Sequence, residues 1–399
     1  MNGEANVAIV GGGVTGLSVA YNLAKKGMTN IVVLEKSYLG SGASGRNSGG
    51  ARVSFNAPET ITLARENIKM IESLSDMLGY DVKFRQKGYL FLAYTEDQVQ
   101  LIKENVARQN ALGLRTKVLE QDEAREIASA LNFEGVLGAV FDPYAGFLDP
   151  FAVVRGYAKA ARELNVEIFP FTEVKGVLIK NGKISSLQTS RGRLKTTTVV
   201  NAAGPDSSAL ASMVGIDLPS KPYRREMLIT ESLEPLLGPM VVSMDSGVHF
   251  HQSVDNGGVI GGMPPQGLDP VTYSIDSSLE FLKIFSEEVI RLCPRLKSLN
   301  IVRQWAGLID YTADSSPILG AVDGIEGFVQ ANGWSGHGLQ FCPIAGKLLA
   351  EFIVDGKTSL SIEPFNLNRF REGKLIKEKM GAFSSKTREL LGLKEKPIK

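Results

Sequence analysis

The sequence predicts an α/β fold in which a domain made of separated chain segments is interrupted by a second domain with an antiparallel sheet. Three observations lead to this prediction. A strand, a glycine turn, a helix and a second strand follow one another over residues 7–35. Segments 225–230 and 248–263 show strand alternation without helices between them, which is typical of an antiparallel sheet. A βα pattern then returns over 327–354.

Each element has its own local signal, and Gly27 marks the end of the first helix. Segment 41–50, SGASGRNSGG, is too small and polar for a regular element, so it is either an ordered loop or a flexible linker. The predicted helices are 17–26, 58–77, 96–112, 149–164 and 339–354. The predicted strands outside the antiparallel block are 7–10, 31–35, 89–94, 166–169, 174–180, 184–189, 196–201 and 327–330.

Length and charge narrow the classes of function. The 399 residues are enough for two domains at roughly 100 to 200 residues per domain. Lys and Arg total 44 against 43 Asp and Glu, so no overall field attracts nucleic acid or an anionic membrane. We therefore expect a soluble protein with a small-molecule partner.

The two cysteines, Cys293 and Cys342, lie far apart and have no CxxC or His-rich companion, so no metal site is predicted. The apolar stretch from Val7 lacks a basic flank and a cleavage site, which argues against a signal peptide. No run approaches the roughly 20 apolar residues of a membrane span. These observations predict a cytoplasmic protein with free thiols.

A dinucleotide fingerprint, GxGxxG, occupies Gly11, Gly13 and Gly16 between the first strand and helix. Gly11 allows the tight turn, Gly13 allows a pyrophosphate to approach the backbone, and Gly16 allows the helix to pack on the strand. The amides of Val14 and Thr15 at the helix N-terminus can then bind the pyrophosphate.

Glu35, followed by Lys36, ends the second strand, where a carboxylate can accept hydrogen bonds from both ribose hydroxyls.

Three segments favour FAD over NAD. The loop 40–50 suits a path along a pyrophosphate to a flavin, and VVNAAGPDS at 199–207 ends a strand in small residues. NGWSGHG at 332–338 leads into a helix whose amides can stabilise a reduced flavin. Each of the last two could also be an ordinary strand-to-helix turn.

Together with the fingerprint, six further segments give the chain a family likeness. They are LGSG from Leu39, QKGYLFL from Gln86, LDP from Leu148, VVNAAG from Val199, WAG from Trp305 and GWSGHG from Gly333. In this order they resemble the D-amino-acid oxidase superfamily of FAD-dependent amine oxidoreductases over about residues 6–365. The likeness is strongest to the sarcosine and glycine oxidase branch, and within it to the β subunit of archaeal dye-linked L-proline dehydrogenases.

The resemblance implies a glutathione-reductase-type FAD-binding domain with an inserted substrate domain. The FAD-binding domain would comprise 1–85, 146–216 and 300–365, and the substrate domain 86–145 and 217–299. Residues 366–399 form a Lys-rich tail, for which we expect surface helices and a partner contact.

The resemblance also implies which residues bind FAD. Glu35 and Lys36 would lie at the ribose, the loop 44–50 at phosphate and flavin, and Val174 at the adenine through its backbone. The other implied residues are Ser44, Asn47, Ser48, Gly49, Ala203, Gly204, Gly307, Gly336, His337, Gly338, Leu339 and Gln340. FAD would be non-covalent, because 40–52 contains no His or Cys and Gly307 stands where a tethering Cys would be expected.

For the substrate, the resemblance implies that Arg52 grips a carboxylate, with Phe250 as an apolar wall and Gln340 at the flavin edge. His251, like His249, lies on the opposite strand face from Phe250 and suits acid–base work if that face meets the substrate. The run GLID at 307–310 replaces the GLRP-like segment of D-amino-acid and glycine oxidases, so we do not expect a carboxylate-binding Arg there.

These features predict an FAD-dependent amino-acid dehydrogenase with L-proline as the first candidate, and sarcosine or glycine next. Hydride would pass from the α-carbon to flavin N5 without an obligatory base. Val259 stands where sarcosine oxidases carry a Lys that promotes oxygen reduction, so electrons would go to a dye, a quinone or a partner flavin or Fe–S subunit. The alternatives are an oxygen-using sarcosine or glycine oxidase and a non-catalytic FAD subunit. A homo- or hetero-oligomer is expected.

Overall fold

The computed structural model describes residues 3–253, 255–264, 271–378 and 380. The strands, in chain order, are β1 Glu4–Val10, β2 Ile31–Leu34, β3 Gly50–Ala51, β4 Tyr89–Ala93, β5 Lys117–Leu119, β6 Gly138–Asp142, β7 Gly146–Phe147, β8 Glu167–Phe169, β9 Val174–Lys180, β10 Lys183–Thr189, β11 Gly192–Asn201, β12 Ser220–Ser232, β13 Met240–Ser243, β14 His249–Gln252, β15 Gly258–Gly262, β16 Ile301–Thr312, β17 Ile318–Val322 and β18 Ile325–Asn332. The α-helices are α1 Val14–Lys25, α2 Pro58–Glu72, α3 Leu74–Leu78, α4 Glu96–Ala111, α5 Gln121–Ile127, α6 Pro150–Glu163, α7 Ser207–Ser212, α8 Leu279–Leu292, α9 Gly338–Asp355 and α10 Asn368–Arg371.

The first sheet has the order β17-β18-β10-β11-β1-β2-β8, and β9 pairs with β10. Its centre is parallel, because β1 lies between β2 and β11 and pairs in parallel with both. Helix α1 leaves β1 through the fingerprint and packs against α6 and α9, which buries one face of the sheet. The βαβ unit expected at the N-terminus is confirmed, with bounds that differ by a few residues.

The second sheet has the order β16-β12-β15-β14-β13-β4-β6-β5. Most of its pairings are antiparallel, as the sequence predicts, although β13 and β4 run parallel. Helix α8 covers one face and buries Phe281, Phe285 and Leu292 in the core of this sheet. The sequence analysis did not identify α8. The opposite face of the sheet borders the cavity described below.

Strand β16 departs from the domain bounds expected from the sequence. It belongs to the piece 300–365 that we assigned to the FAD-binding domain, yet it pairs along β12 from Ser220 opposite Thr312 to Thr230 opposite Ile301. The second sheet therefore continues past residue 299. Alternation in a sequence identifies a strand but says nothing about its partner, so this pairing was not predictable locally.

The tail also differs from the expectation of surface helices. Within its described part, the one-turn helix α10 is followed by a non-helical segment that returns to the start of α2. Arg369 of α10 forms a buried ion pair with Asp314, with 2.7 Å between Arg369 Nε and Asp314 Oδ2. The predicted partner contact of the tail stays a prediction, and residues 379 and 381–399 lie outside the described ranges.

Some classes of feature are missing from the residues that the structure describes. No helix there is long and apolar enough to cross a membrane. No group of three or more His, Cys, Asp and Glu side chains in the same ranges is arranged to hold a metal ion. Cys293 and Cys342 are both free and buried.

Candidate active site

One cavity connects the fingerprint with the inner face of the second sheet. Gly11, Gly13 and Glu35 line one end of it, and Arg52 and His249 line the other. The cavity therefore brings together residues that are far apart in the chain. Those at one end were predicted to bind the cofactor, and those at the other end were predicted to meet the substrate.

At the fingerprint end, Gly11 and Gly16 are required because neighbouring backbone atoms leave no room for a side chain. Gly11 has a φ of 117°, and a Cβ there would overlap the carbonyl oxygen of Ala202 at the end of β11. A Cβ at Gly16 would overlap the carbonyl oxygen of Gly11. Both agree with the roles predicted for a tight turn and for helix–strand packing. Gly13 is the N-cap of α1, and Val14 and Thr15 in its first turn also line the cavity.

The Glu35 carboxylate is held at the cavity wall by backbone donors. Glu35 Oε2 accepts a hydrogen bond from the N–H of Gly12 at 2.8 Å, and Oε1 accepts one from the N–H of Ser37 at 2.8 Å. Because one donor comes from the fingerprint turn and the other from the loop after β2, the carboxylate is held in a fixed orientation where Glu35 lines the cavity. Lys36, by contrast, points away and forms an exposed ion pair with Asp206 at 2.7 Å.

The glycine-rich loop after Glu35 is ordered by its own side chains. Ser44 Oγ accepts the N–H of Val14 at 3.0 Å, which joins the loop to the N-terminus of α1. Asn47 accepts the N–H of Gly49 at 2.8 Å and donates to the carbonyl oxygen of Ser44 at 3.0 Å. Of the two interpretations left open for 41–50, the structure thus favours the ordered loop. Ser48 also lines the cavity, and Gly49 lies just outside the lining.

The segment NGWSGHG at 332–338 brings the N-terminus of α9 to the same cavity. Gly336, His337, Gly338, Leu339 and Gln340 all line it. Ala203, Gly204 and Gly307 line it as well, as the resemblance implies. Gly16 and Val174 do not, so the proposed backbone contact of Val174 with adenine stays a prediction.

Gln340 acts on the main chain of Arg52. Its Oε1 accepts the N–H of Arg52 at 3.2 Å, and its Nε2 donates to the carbonyl oxygen of Arg52 at 3.4 Å. These bonds pin the backbone at the end of the loop, and they occupy amide groups that the sequence analysis assigned to the flavin edge and to catalysis.

Arg52 is a buried arginine with 8% of its surface exposed. It lies at the end of the cavity away from the fingerprint, which we call the substrate end. Its Nη1 donates to the carbonyl oxygen of Ser54 and its Nη2 to that of Met380. Nη2 also lies 3.3 Å from His337 Nε2. The guanidinium carbon lies 4.0 Å from the centre of the Phe55 ring, so the group is held between an aromatic face and fixed polar partners.

Burial makes the charged form of the Arg52 guanidinium energetically unfavourable. Burial lowers the pKa of its guanidinium, and Glu378, Tyr89 and Asp142 oppose that shift, with Glu378 contributing most. Asp142 is itself completely buried and accepts the N–H groups of Val53 and Ser54 at 2.8 and 2.9 Å. The fold thus surrounds a desolvated cation with acidic groups at some distance, and leaves it facing the cavity.

Phe250 does not line the cavity, which corrects the prediction that it forms a wall over the flavin. It is completely buried on the other face of β14, in the core that α8 covers, and Val259 of β15 lies in the same core. Alternation along a strand sends neighbouring residues to opposite faces, and the cavity face here is the one that carries His249. Val259 therefore does not line the cavity either.

His251 shares a face with His249 but supports the loop instead of lining the cavity. Its Nε2 lies 2.8 Å from the carbonyl oxygen of Ser48, and its ring stacks on Phe147 with 4.0 Å between centres. Because neutral imidazole can donate from one nitrogen, this contact fits an N–H bond to the loop. The structure thus gives His251 a positioning contact and leaves His249 as the histidine of this strand that faces the cavity.

Sequence reasoning missed two residues of the substrate end. Arg225 on β12 and Tyr89 on β4 both line the cavity. Burial lowers the pKa of Arg225 to about 10, and burial raises the pKa of the Tyr89 hydroxyl. Tyr89 lies in the QKGYLFL segment, but that segment was used only for the family likeness, and no motif marks Arg225. Neither side chain could be placed at the cavity before the pairing of the second sheet was known.

Both cavity histidines are kept neutral. The pKa of His249 is lowered to about 3, by burial first and then by the charge of Arg225. The pKa of His337 is also lowered to about 3, by burial and then by Arg52 and Arg225. At neutral pH these rings can donate and accept hydrogen bonds but carry no charge.

Asp310 from the GLID run is an acidic residue that lines the cavity, as Glu35 does at the fingerprint end. Burial raises its pKa to about 6, although its Oδ2 accepts the N–H of Gly333 at 2.7 Å. The Ser335 N–H also bonds to the carbonyl oxygen of Asp310 at 3.1 Å. Asp310 therefore anchors the loop that precedes α9, where GLRP-like segments would supply an arginine one residue earlier.

The residues of the cavity fit FAD. The first turns of α1 and α9 both open into it, so two helix N-termini can meet the negative charge of a pyrophosphate and of a reduced flavin. Glu35 lines the cavity beside the fingerprint, where a ribose would be bound, and the ordered loop leads from there to Arg52. A continuous path of this kind suits a dinucleotide with a ring system at its far end.

The family model described as DAO, FAD dependent oxidoreductase, matches residues 6–352. The chain belongs to this family. The match confirms the α/β fold class and the FAD cofactor predicted from the sequence.

Relatives of known function agree with this assignment. Sarcosine oxidase subunit beta of Rhodobacter capsulatus is 33% identical over 387 residues, which is 94% of this chain and 91% of that protein. The structure of L-proline dehydrogenase from P. horikoshii superposes with a TM-score of 0.90 at 33% identity, over 94% of this chain and 100% of that one. Glycine oxidase from Geobacillus kaustophilus gives a TM-score of 0.86 at 25% identity, over 92% and 99%.

These similarities confirm the predicted place in the sarcosine and glycine oxidase branch. They also confirm the class of enzyme, an FAD-dependent amine or amino-acid oxidoreductase. Dehydrogenase and oxidase both occur among the similar proteins, so the electron acceptor belongs to the proposal below.

Proposed function

We propose that this protein is an FAD-dependent amino-acid dehydrogenase that oxidises the C–N bond of a small or secondary amino acid, with L-proline as the first candidate. The observation that carries the proposal is Arg52, a buried guanidinium that lines the cavity where the ordered loop ends. Arginine is the natural partner of a carboxylate, and desolvation strengthens such a pair. The similarity to an L-proline dehydrogenase supports the choice of the first substrate.

The residues of the site can bind and activate an amino acid without a charged base. Bound FAD supplies the acceptor for a hydride at its N5 atom. Arg52 fixes the carboxylate and thereby the position of the α-carbon. The positive charges of the two buried guanidinium groups disfavour an ammonium ion beside them, so the neutral form of the substrate amine is favoured. The two neutral histidines add no negative charge that would oppose this effect. The nitrogen lone pair of that amine is needed to form the C=N bond as the hydride leaves.

An anaerobic screen of the FAD-loaded protein tests this function. L-proline, D-proline, sarcosine and glycine are added in turn, and the flavin absorbance is followed. We expect L-proline to bleach the flavin fastest, and pyrrolidine, which lacks the carboxylate, to bleach it far more slowly. Full retention of colour with every amine would favour the rival function of a non-catalytic FAD subunit.

A second candidate is a sarcosine oxidase activity within a heteromeric complex. It is favoured by the relative named sarcosine oxidase subunit beta, and by Arg225, whose positive charge borders the cavity. Positive charge beside reduced flavin stabilises the anion formed when oxygen is reduced. Faster bleaching by sarcosine than by L-proline, followed by rapid reoxidation in air, would favour this candidate. In either case we propose a non-covalent FAD, since residues 40–52 contain no His or Cys and Gly307 stands where a tethering Cys would be expected.

A further inference from the structure

The described end of the tail lies against the substrate end of the cavity. Met380 lines the cavity and packs with Tyr89, Phe91 and Met240. We call residues 376–378 and 380 the C-terminal strap. The family model ends at residue 352, so the strap lies beyond the part of the chain that defines the family.

The strap is tied to the chain segment that follows Arg52. Met380 N–H donates to Asn56 Oδ1 at 3.1 Å and to Glu378 Oε1 at 2.8 Å. Asn56 Nδ2 donates in turn to the carbonyl oxygen of Lys377 at 2.9 Å. The carbonyl oxygen of Met380 accepts from Arg52 Nη2. One network of hydrogen bonds therefore runs from the tail to the guanidinium.

Glu378 is the acidic residue of this network, and its side chain is buried with 1% exposure. Its carboxylate accepts the N–H groups of Asn56 at 3.2 Å and of Ala57 at 3.1 Å. Ala57 is the N-cap of α2 and has no side-chain cap of its own. Glu378 thus supplies the acceptor that this helix start lacks, where a negative charge is favoured.

The same carboxylate offsets the charge of Arg52. Among the groups that oppose the lowering of the Arg52 pKa, Glu378 contributes most, and Arg52 in turn lowers the pKa of Glu378, which burial raises. A buried cation without an acidic neighbour is strongly unfavourable. Both the orientation and the charge of the guanidinium therefore depend on the strap.

We propose that the C-terminal strap positions Arg52 for the substrate carboxylate, with Glu378 as the positioning residue. The inference rests on the proposed function, in which Arg52 binds that carboxylate. With Nη1 and Nη2 each held by a main-chain carbonyl, the plane of the guanidinium is fixed, and its remaining N–H donors stay available for a ligand. Met380 closes the same end of the cavity, which favours small substrates.

The test compares two ligands that the enzyme does not need to oxidise. Pyrrole-2-carboxylate and pyrrole are titrated into the FAD-loaded full-length protein, and binding is read from the change in flavin absorbance. In Glu378→Gln we expect the Kd for pyrrole-2-carboxylate to rise about tenfold and that for pyrrole to change less than about twofold. Glu378→Asp, which keeps the charge, should recover part of the loss. Glu372→Gln, an exposed carboxylate of the same tail, is the control and should bind both ligands as the wild type does.

A second variant keeps the inference testable if Glu378→Gln does not fold. Asn56→Ala removes two bonds to the strap without altering a side chain that contacts Arg52, and it should show the same selective loss. Equal weakening of both ligands, or unchanged binding of both, would overturn the inference while the proposed function stands. A wild-type protein that holds FAD but binds neither ligand would overturn the proposed function, and the inference with it.

Discussion

Arg52 is the residue on which the proposed chemistry depends, because its buried guanidinium lines the cavity and a carboxylate is the natural partner of such a group. We expect Arg52→Ala to cost roughly 2 to 4 kcal/mol in kcat/KM for L-proline. The loss should shrink sharply for pyrrolidine, which lacks the carboxylate. Steady-state kinetics with both compounds measure this difference.

Arg52→Lys is the matched variant, since it keeps the charge but loses the planar fork, and it should fall between the wild type and Arg52→Ala. Arg85→Ala, at an exposed arginine, is the control for nonspecific effects. Equal losses for L-proline and pyrrolidine would mean that Arg52 supports the flavin or the fold instead of the carboxylate.

Glu35 governs the other end of the cavity. Glu35→Ala removes an acceptor for the ribose and also frees the N–H groups of Gly12 and Ser37. We expect weaker FAD binding, by roughly 1.5 to 3 kcal/mol for each charge-assisted bond that is lost. Titration of the apoprotein with FAD gives the dissociation constant. An unchanged constant would contradict the placement of the ribose at Glu35.

His249 should make the fold sensitive to acid. Its pKa is about 3 in the folded state against an ordinary value of 6.5, so between these values the unfolded chain binds more protons. The stability that this difference provides is complete above pH 6.5 and is lost as the pH falls toward 3. His249→Asn should therefore lose less stability than the wild type on acidification, by at most about 1 kcal/mol per pH unit for this partly exposed ring.

Urea unfolding of both proteins at pH 7 and pH 5 with saturating FAD measures that difference, because all other titrating groups are shared. Parallel pH dependence in the two proteins would show that the ring titrates normally in the fold.

At the scale of elements, a buried ion pair holds α10 of the tail against the rest of the molecule. Arg369 makes a bidentate contact with Asp314, at 2.7 Å for Nε and 2.9 Å for Nη2, and Asp314 also accepts the N–H of Ile376 at 3.2 Å. Arg369→Ala leaves this carboxylate buried without its cation, which should cost about 3 to 5 kcal/mol in the free energy of unfolding. Chemical denaturation measures the change.

The neighbouring Arg371 offers the control, because its contact with Asp323 is exposed and spans 3.4 Å. Arg371→Ala should change the stability by less than about 1 kcal/mol. Similar effects of the two substitutions would argue that the tail is not anchored through Arg369.

At the scale of the whole molecule, the second sheet decides which charges border the flavin. The sequence argument for a dehydrogenase relied on Val259, and the structure places that residue in the core, whereas Arg225 brings a positive charge to the cavity. The expectation of slow reoxidation by oxygen therefore rests on the similarity to an L-proline dehydrogenase and no longer on Val259. The enzyme is reduced with its amino acid and mixed in a stopped-flow instrument with air-saturated buffer or with an artificial dye.

Reoxidation by the dye at the rate of turnover, with slower reaction in air, is the expected result. If oxygen reoxidises the flavin at the turnover rate, the enzyme is an oxidase. Arg225→Met then identifies the source of the effect, since loss of the oxygen reaction in this variant would assign it to that guanidinium.

The sequence by itself determined the nucleotide-binding half of this protein. The strand, the glycines and the helix of the fingerprint interact over a few residues, so Gly11, Gly16 and Glu35 could be assigned from spacing alone. For the loop 41–50 and the segment before α9 the sequence left alternatives open, a flexible linker for the first and an ordinary turn for the second. The side-chain bonds of Ser44 and Asn47 favour an ordered loop, and the start of α9 lines the same cavity. The antiparallel character of the second sheet also followed from alternation.

Only the tertiary structure decided the substrate end. Whether His249 or Phe250 meets the cavity depends on which face of β14 the helix α8 covers, and alternation cannot reveal that. Arg225, Tyr89 and Glu378 reach the site from segments separated by more than a hundred residues. Their role arises from packing between distant elements and from burial, which changes the charge state of groups that look ordinary in the sequence.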